Sequence, residues 1–103
     1  MTAAIFTVRA TISAEKEAAF NEWYNTDHAP QFTAASGATS ARRFRKFLGD
    51  DQYDYMVVYE YDNRETLESF LASDQLAYFL EDYNRNFGAA SVRVRNAYEQ
   101  VWP

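Results

Sequence analysis

The segment that most restricts the possible folds of this chain is residues 52–61, QYDYMVVYEY. Its tyrosines at 53, 55, 59 and 61 and a valine at 57 fall on alternate positions, and a period of two residues predicts a β-strand. A methionine at 56 and a valine at 58 lie on the opposite side of that strand. Strands that are apolar on both sides are typical of sheets covered on both faces.

The first part of the chain predicts a strand followed by a helix. Residues 3–12, AAIFTVRATI, alternate in the manner of a strand. Ser13 is a helix-capping residue type and precedes residues 14–27, which carry acids in the first turn, where the helix dipole favours them. Pro30 disfavours helical geometry at the residue before it. The sequence therefore predicts that the helix breaks near His28 and that a short turn follows.

The rest of the chain predicts two further strands and a helix in two pieces. Residues 38–48, ATSARRFRKFL, have a strand pattern that stops at GDD, a tight-turn signal. A helix follows the tyrosine-rich strand, is broken or re-capped at Ser73–Asp74, and is closed by Gly88. Residues 91–102 alternate as the last strand.

The order of elements is β-α-β-β-α-β, which predicts a ferredoxin-like α+β fold: a four-stranded antiparallel sheet with two helices on one face. A chain of 103 residues is long enough for one core, so residues 1–103 are expected to form a single domain. One helical layer leaves the other sheet face uncovered. We therefore expect a homodimer in which two sheets pack face to face.

Composition excludes several classes of function. The net charge of −5 argues against a nucleic acid as partner. No run of 18 apolar residues predicts a membrane span, and the N-terminus resembles a strand rather than a signal peptide, so we expect a cytoplasmic protein. The absence of cysteine excludes disulfides, thiolate nucleophiles and zinc–sulfur sites. Gly-rich phosphate loops, GxSxG elbows and calcium-binding acid clusters are also missing.

A motif between residues 20 and 45 resembles a known family. Its elements are an aromatic pair, an acid–His step, a proline, a glycine and a basic strand, here Phe20-x-x-Trp23-Tyr24-x-x-Asp27-His28-x-Pro30, then Gly37 and ARRFR. The motif is similar to that of the EthD-like branch of the dimeric α+β barrel superfamily, and the order of elements agrees over the whole chain. Ser36 departs from the proline that the family often has before the glycine.

The resemblance implies a small cavity between the sheet and the helices, with His28 at its edge. Related barrels include lactone isomerases, polyketide cyclases, cofactor-free oxygenases and haem-degrading enzymes. Since one fold hosts all of these reactions, the resemblance does not choose among them.

His28 is the only histidine of the chain. An imidazole with a pKa of roughly 6.5 exchanges protons near neutral pH, and the neighbouring Asp27 is a candidate for orienting the ring. The alternative is a histidine that faces solvent or caps a helix. One histidine without cysteines supplies too few ligands for zinc, whereas a haem needs a single axial histidine and stays open as an alternative.

The basic cluster ARRFRK supplies a candidate anion-binding group. On a strand, Arg43 and Arg45 point to one side, and Arg42 and Lys46 point to the other. One pair must face inward or across the dimer, and burying an unpaired guanidinium is costly. Either an acid on the neighbouring strand or a substrate carboxylate or enolate should meet it. The basic–basic–aromatic step of the family places Arg43 next to the histidine.

Aromatic side chains offer a second set of candidates. The tyrosines of residues 52–61 share one side of their strand, and among them Tyr59 is a candidate pocket hydroxyl. Trp23, Tyr24 and Phe32 flank the histidine and would form a flat apolar slot for a ring or a conjugated ligand. Ordinary core or dimer packing is the alternative for all of these residues.

The leading hypothesis is a homodimeric enzyme without cofactor or metal that isomerises, cyclises or cleaves a small apolar carbonyl compound, such as a lactone or an aromatic or polyketide-like acid. His28 would carry the proton, while Arg43 and Tyr59 would hold the oxyanion. The expected substrate-binding residues are Trp23, Tyr24, Asp27 and Phe32. The alternatives are a cofactor-free or haem-dependent monooxygenase and a non-catalytic ligand-binding or stress-associated dimer.

A pocket of roughly 300 Å³ or more, lined by His28 and Arg43 together, would favour binding or catalysis. A solid core at that place would favour a structural role.

Overall fold

The chain folds into an antiparallel four-stranded sheet with helices on one side. A computed structural model describes residues 2–103. From one edge of the sheet to the other, the strands are the second, third, first and fourth of the chain. The two central strands are the most apolar ones. This arrangement confirms the predicted ferredoxin-like α+β fold class. The elements in chain order are β1 (Ala4–Ala10), α1 (Glu17–Trp23), α2 (Ala29–Ser36), β2 (Ser40–Arg45), β3 (Tyr55–Tyr61), α3 (Arg64–Leu71), α4 (Asp74–Phe87) and β4 (Arg93–Glu99).

The core lies between the helices and the inner side of the sheet. Alternate residues of β1 and β3 point to this side and are buried, as their period of two residues requires. Phe20 of α1 is 0% exposed and contacts the edges of four other aromatic rings. The buried aromatic residues are Phe6, Phe20, Tyr24, Phe32, Tyr55, Tyr59, Tyr61, Phe70, Phe79, Tyr83 and Phe87.

The prediction that the helix breaks near His28 is wrong. Residues Tyr24–His28 form one widened, π-helical turn that joins α1 to α2 without an interruption. The backbone N–H of Ala29 donates to the carbonyl of Tyr24, five residues earlier, and Ala29 keeps helical angles, φ −65° and ψ −43°. Pro30 then falls in the first turn of α2, where a missing backbone N–H is tolerated.

The predicted short turn after Pro30 is therefore helix α2. Gly37 ends this helix with φ 80°, a left-handed conformation that glycine adopts without strain. The later helix is divided as predicted, because α3 ends before Ser73, which occupies the N-cap position of α4. Gly88 lies at the C-cap of α4.

The hairpin between β2 and β3 is longer than the predicted tight turn. Both strands are shorter than their sequence patterns, and residues 46–54 form the connecting loop. Asp51 shapes this loop, since its carboxylate accepts from the backbone N–H of Tyr53 at 3.2 Å and pairs with Arg9 at 2.6 Å. Such local carboxylate–backbone bonds compete with strand pairing.

The outer side of the sheet carries no helices. It mixes apolar and polar residues, which are Ile5, Thr7, Arg9, Arg42, Phe44, Met56, Val58, Glu60, Val94, Asn96 and Tyr98. Phe44 and Tyr98 are 48% and 53% exposed there. Within residues 2–103, no helix is both long enough and apolar enough to cross a membrane.

Candidate functional site

The widened turn carries His28 into the core. The imidazole is 6% exposed and stacks on Trp23, with ring centres 4.5 Å apart. The edges of Tyr24 and Tyr83 contact it at 5.0 and 6.0 Å between ring centres. His28 is therefore neither solvent-facing nor surface-capping, which were the alternatives for this residue.

The acid nearest to His28 lies on α4. The Oδ2 atom of Asp82 is 4.0 Å from Nδ1 of His28, and Nδ1 has no hydrogen-bond partner. Asp27, which the sequence suggested for this role, instead accepts a hydrogen bond from Gln31 at the surface. Adjacent residues of a helix point in different directions, so the carboxylate next in sequence does not reach the ring.

The protonation state of His28 follows from this burial. Loss of solvent lowers the pKa of His28 from 6.5 to about 4, and the charges of Arg93 and Arg43 act in the same direction. Asp82 opposes the shift without cancelling it. At neutral pH the imidazole is therefore uncharged and accepts protons only weakly.

Arg43 lies half-buried on the inner side of β2. Its Nη1 donates to Oδ1 of Asn25 at 2.9 Å, and its guanidinium lies 4.3 Å from the ring centre of Tyr24 and 5.3 Å from that of Tyr55. The Nη2 atom is buried and has no hydrogen-bond partner. Burial lowers the pKa of Arg43, and no carboxylate among residues 2–103 pairs with it.

The outward-pointing members of the basic cluster differ from Arg43. Arg42 pairs with Glu60, and Lys46 pairs with Asp54 at 3.5 Å. For these two residues the salt-bridge interpretation is confirmed, whereas Arg43 and Arg45 on the inner side form no ion pair within residues 2–103.

A groove of about 830 Å³ opens between α2 and β2. Arg43, Asn25 and Tyr55 supply its polar groups, and Arg45 lies at its border. The Tyr55 hydroxyl is occupied, because it donates to Glu17 at 2.5 Å and accepts from Asn21 at 3.0 Å. The other residues that line the groove are mostly small and apolar; they are Ala29, Pro30, Thr33, Ala34, Gly37, Ala38, Ala41 and Phe44.

His28 lines a different and much smaller cavity, of about 20 Å³. Tyr59 shares this cavity, and its hydroxyl is buried without a hydrogen-bond partner. Burial raises the pKa of Tyr59 above that of an ordinary tyrosine. Tyr24 contacts both His28 and Arg43 and stands between them. No cavity of the described residues is therefore lined by both His28 and Arg43. The nearly solid packing around His28 favours a structural role for that region, whereas the open volume that would favour binding lies at Arg43.

The remaining predicted binding residues lie in the core rather than on the groove. Trp23 stacks on His28, and Phe32 packs between Tyr59 and Phe79 at 4.3 and 5.2 Å between ring centres. Tyr24 is the one member of the predicted slot that also contacts the groove arginine.

Sequence analysis missed several groups at the two cavities. Asn25 was overlooked although it stands inside the motif, and the period of the helix places it one turn before the groove residue Ala29. Asp82, Arg93 and Arg95 come from α4 and β4, far from the motif, and no local signal connects them with His28.

The metal and haem alternatives can be compared with the side chains of residues 2–103. Residues 2–103 hold no group of three or more His, Asp or Glu side chains that could bind a metal ion. A haem does not fit at His28, because one ring face is stacked on Trp23 and the adjoining cavity holds about one water molecule.

The fold is similar to those of several solved structures. An EthD family protein from Bacillus halodurans is 20% identical, with a TM-score of 0.64 over 93% of this chain and 97% of its own. An EthD-like protein from Ralstonia eutropha is 15% identical, with a TM-score of 0.71 over 99% and 95%. SnoaB, a cofactor-independent oxygenase from Streptomyces nogalater, is 17% identical, with a TM-score of 0.63 over 100% and 97%.

At the level of fold, these likenesses confirm the resemblance to EthD-like proteins. No curated protein matches the chain in sequence. A family model described as a domain of unknown function, DUF4286, matches residues 3–101. Because this model covers nearly all of the sequence, the chain belongs to the DUF4286 family.

Proposed function

We propose that this chain is an enzyme that binds a small carbonyl compound in the groove between α2 and β2 and moves a proton on it without a cofactor. The reaction class is isomerisation, cyclisation or elimination. The observation that carries the proposal is Arg43, a half-buried cation with a buried, unpartnered Nη2 atom and no acid beside it.

An uncompensated guanidinium destabilises a fold unless an anion offsets it. The groove beside Arg43 has a volume in the range of small-molecule sites. Because Nη2 is covered, a ligand oxygen becomes its acceptor only when the side chains that cover it move aside. Asn25 accepts from Arg43 through Oδ1, which leaves its amide N–H₂ free to donate to the same ligand. The alanine-rich walls suit an apolar ligand body.

The chemistry follows from that placement. When a proton leaves the carbon next to a carbonyl, negative charge develops on the carbonyl oxygen, and a positioned guanidinium stabilises it. His28 is the proposed proton carrier. Its imidazole lies behind Tyr24, so the Tyr24 side chain must move before the ring meets a groove ligand. An anionic ligand would also raise the His28 pKa towards neutrality.

Deuterium exchange tests this proposal without knowledge of the product. Lactones and aromatic carbonyl acids are incubated with the protein in D₂O, and exchange at the carbon next to the carbonyl is followed by NMR. We expect Arg43→Gln to lower the exchange rate by about 100-fold, as removal of an oxyanion-binding group does. Arg42→Gln, its neighbour on the outer side, should stay within about twofold.

Full exchange in Arg43→Gln would overturn the role of the groove. Oxygen consumption measured in the same reactions tests the cofactor-free monooxygenase alternative. The similar protein SnoaB is described as a cofactor-independent oxygenase. Compounds that bind but neither exchange nor consume oxygen would indicate a ligand-binding protein instead.

We also propose that the outer side of the sheet packs on a second copy of this chain. The apolar residues exposed there, Phe44 and Tyr98, would be buried by such a contact. The test is analytical ultracentrifugation. A wild-type dimer that Tyr98→Arg converts to a folded monomer supports the proposal, and a wild-type monomer at high concentration contradicts it.

A further inference from the structure

The arginines of this chain divide into two groups. Those outside the helix–sheet core each form an ion pair with a carboxylate, and they are Arg9, Arg42, Arg64 and Arg85. Those on the inner side of the sheet form no ion pair with any residue of the described chain, and they are Arg43, Arg45, Arg93 and Arg95. Arg45 and Arg95 are exposed, but Arg43 and Arg93 are half-buried. In a protein with a net charge of −5, the absence of an acid beside these two half-buried cations requires a reason.

The sheet register places the inward arginines at two separate sites. Arg43 and Arg95 occupy the ends of one row across the four strands, and Arg45 and Arg93 occupy the ends of the next row. The two edges of the sheet are three strand spacings, or about 14 Å, apart. Arg93 and Arg95 on β4 therefore do not belong to the groove at β2.

Arg93 is held in a geometry that leaves its charge uncompensated. Its guanidinium lies 3.9 Å from the ring centre of Tyr83, and its Nη1 donates to Oδ1 of Asn84 at 3.0 Å. Burial lowers the pKa of Arg93, and the nearby charge of Arg95 acts in the same direction. Two neighbouring cations repel each other, and a bound anion would remove that repulsion.

The two arginines stand at the border of the cavity that contains His28. Inside the cavity lie the unpartnered hydroxyl of Tyr59 and the uncharged imidazole. Its outer wall includes Leu76 and Leu80, which lie one helical turn apart on α4 and are only half-buried. The cavity is thus cationic at one border and apolar towards α4.

We propose that Arg93 and Arg95 form a second binding site, which takes the carboxylate of a small apolar acid and admits its apolar part between β4 and α4 towards His28. The cavity of about 20 Å³ is too small for such a ligand as it stands. Binding therefore displaces the half-buried leucines of α4, whose side chains have solvent on one side. This site is separate from the groove and does not depend on the proposed enzymatic function.

The site couples anion binding to the protonation of His28. The positive charge of Arg93 is one of the causes that hold the imidazole neutral, so an anion on Arg93 weakens that effect. A bound carboxylate thus favours proton uptake by His28, and by linkage the carboxylate binds more tightly as the pH falls. The groups that face His28 from the surrounding elements are Asp82, Tyr83, Arg93, Tyr59, Arg43 and Tyr24.

The single histidine makes this coupling measurable. Its ring signals are the only imidazole signals in the NMR spectrum of the untagged chain, so they need no further assignment. Sodium benzoate serves as the probe, and benzamide serves as its uncharged control. We expect benzoate to shift the His28 signals and to raise the titration midpoint of His28, whereas benzamide does neither.

Two matched variants locate the anion. Arg95→Gln changes an exposed residue, so the fold is kept, and it should weaken benzoate binding about tenfold or more, as loss of a charged partner does. Arg42→Gln removes the same charge from the outer side and should change the affinity by less than about twofold.

Three outcomes would overturn the proposal: no effect of benzoate on the His28 signals, equal weakening by both variants, or equal binding of benzamide. Arg43→Gln separates this result from the groove proposal. Benzoate should still shift His28 in that variant even if exchange activity is lost.

Discussion

Neighbouring arginines on the two sides of the sheet differ in whether they pair with an acid. Arg42 points outward, stays exposed and pairs with Glu60. Arg43, the next residue, points under the helices and meets an amide oxygen and tyrosine rings, but no acid. The same contrast holds between Arg9 on the outer side of β1, which pairs with Asp51, and Arg93 on the inner side of β4.

Paired and unpaired arginines contribute differently to the stability of the fold. An exposed ion pair contributes little to the free energy of unfolding, about 0 to 1 kcal/mol, and neutralises charge at the surface. A half-buried cation without an acid opposes folding. Since the unpaired cations border the groove and the cavity, they are better explained by binding than by stability. Each of the following measurements tests that contrast between the two sides.

The largest expected effect concerns packing on the inner side. Phe20→Ala should lower the free energy of unfolding by about 3–5 kcal/mol, because it opens a cavity among four aromatic rings. Phe44→Ala on the outer side should cost less than about 1 kcal/mol when measured by urea unfolding of the monomer. Equal losses would show that the two sides are packed alike.

The next effect is the pH dependence caused by His28. Its pKa of about 4 in the folded chain lies below the 6.5 of the unfolded chain, so the unfolded state binds more protons between these values. Stability is therefore complete above pH 6.5 and falls as the pH drops towards 4, by up to about 3 kcal/mol. Urea unfolding at pH 7 and pH 5 measures this loss.

His28→Gln is the control for that titration, because it removes the imidazole and keeps a polar side chain. The variant should lose less stability than the wild type between pH 7 and pH 5. An equal loss would mean that carboxylates on the exposed surface, rather than the buried imidazole, cause the pH dependence.

A smaller effect separates two tyrosines of β3 that share the inner side. The Tyr61 hydroxyl donates to Ser36 at 2.8 Å, so Tyr61→Phe should cost about 1 kcal/mol. The Tyr59 hydroxyl lies near that of Tyr24 but forms no well-aligned hydrogen bond, so Tyr59→Phe should cost less than about 0.5 kcal/mol. Thermal unfolding of the two variants compares them directly. A clear loss in Tyr59→Phe would show that its hydroxyl is paired in solution.

The smallest effect is expected at the outer ion pair. Arg42→Gln should change the free energy of unfolding by less than about 0.5 kcal/mol, and by even less in high salt, because Arg42 is exposed and Glu60 is partly exposed. Denaturant unfolding at low and high salt tests this. A loss of more than about 1 kcal/mol in the free energy of unfolding would contradict the conclusion that the outer ion pair contributes little to stability.

Local periodicity was sufficient for most of the fold. The strand positions of β1 and β3 and the division of the later helix at Ser73 follow from side-chain alternation and backbone preferences that act over a few residues. Pro30 shows the limit of this approach. Its preference for breaking a helix was overcome by a widened turn, which tertiary packing of Tyr24 and His28 stabilises.

The sequence by itself determined the ferredoxin-like order of elements and the fact that Arg42 and Arg43 lie on opposite sides of their strand. Only the tertiary structure decided that Arg43 is on the inner side of the sheet and that Tyr24 separates it from His28. It also decided that Asp82 rather than Asp27 faces the imidazole, and that β4 brings Arg93 and Arg95 to the His28 cavity. The physical reason is distance along the chain. Alternation reports which side of an element a residue occupies, whereas burial and charge at a site depend on segments far apart in sequence that only folding brings together.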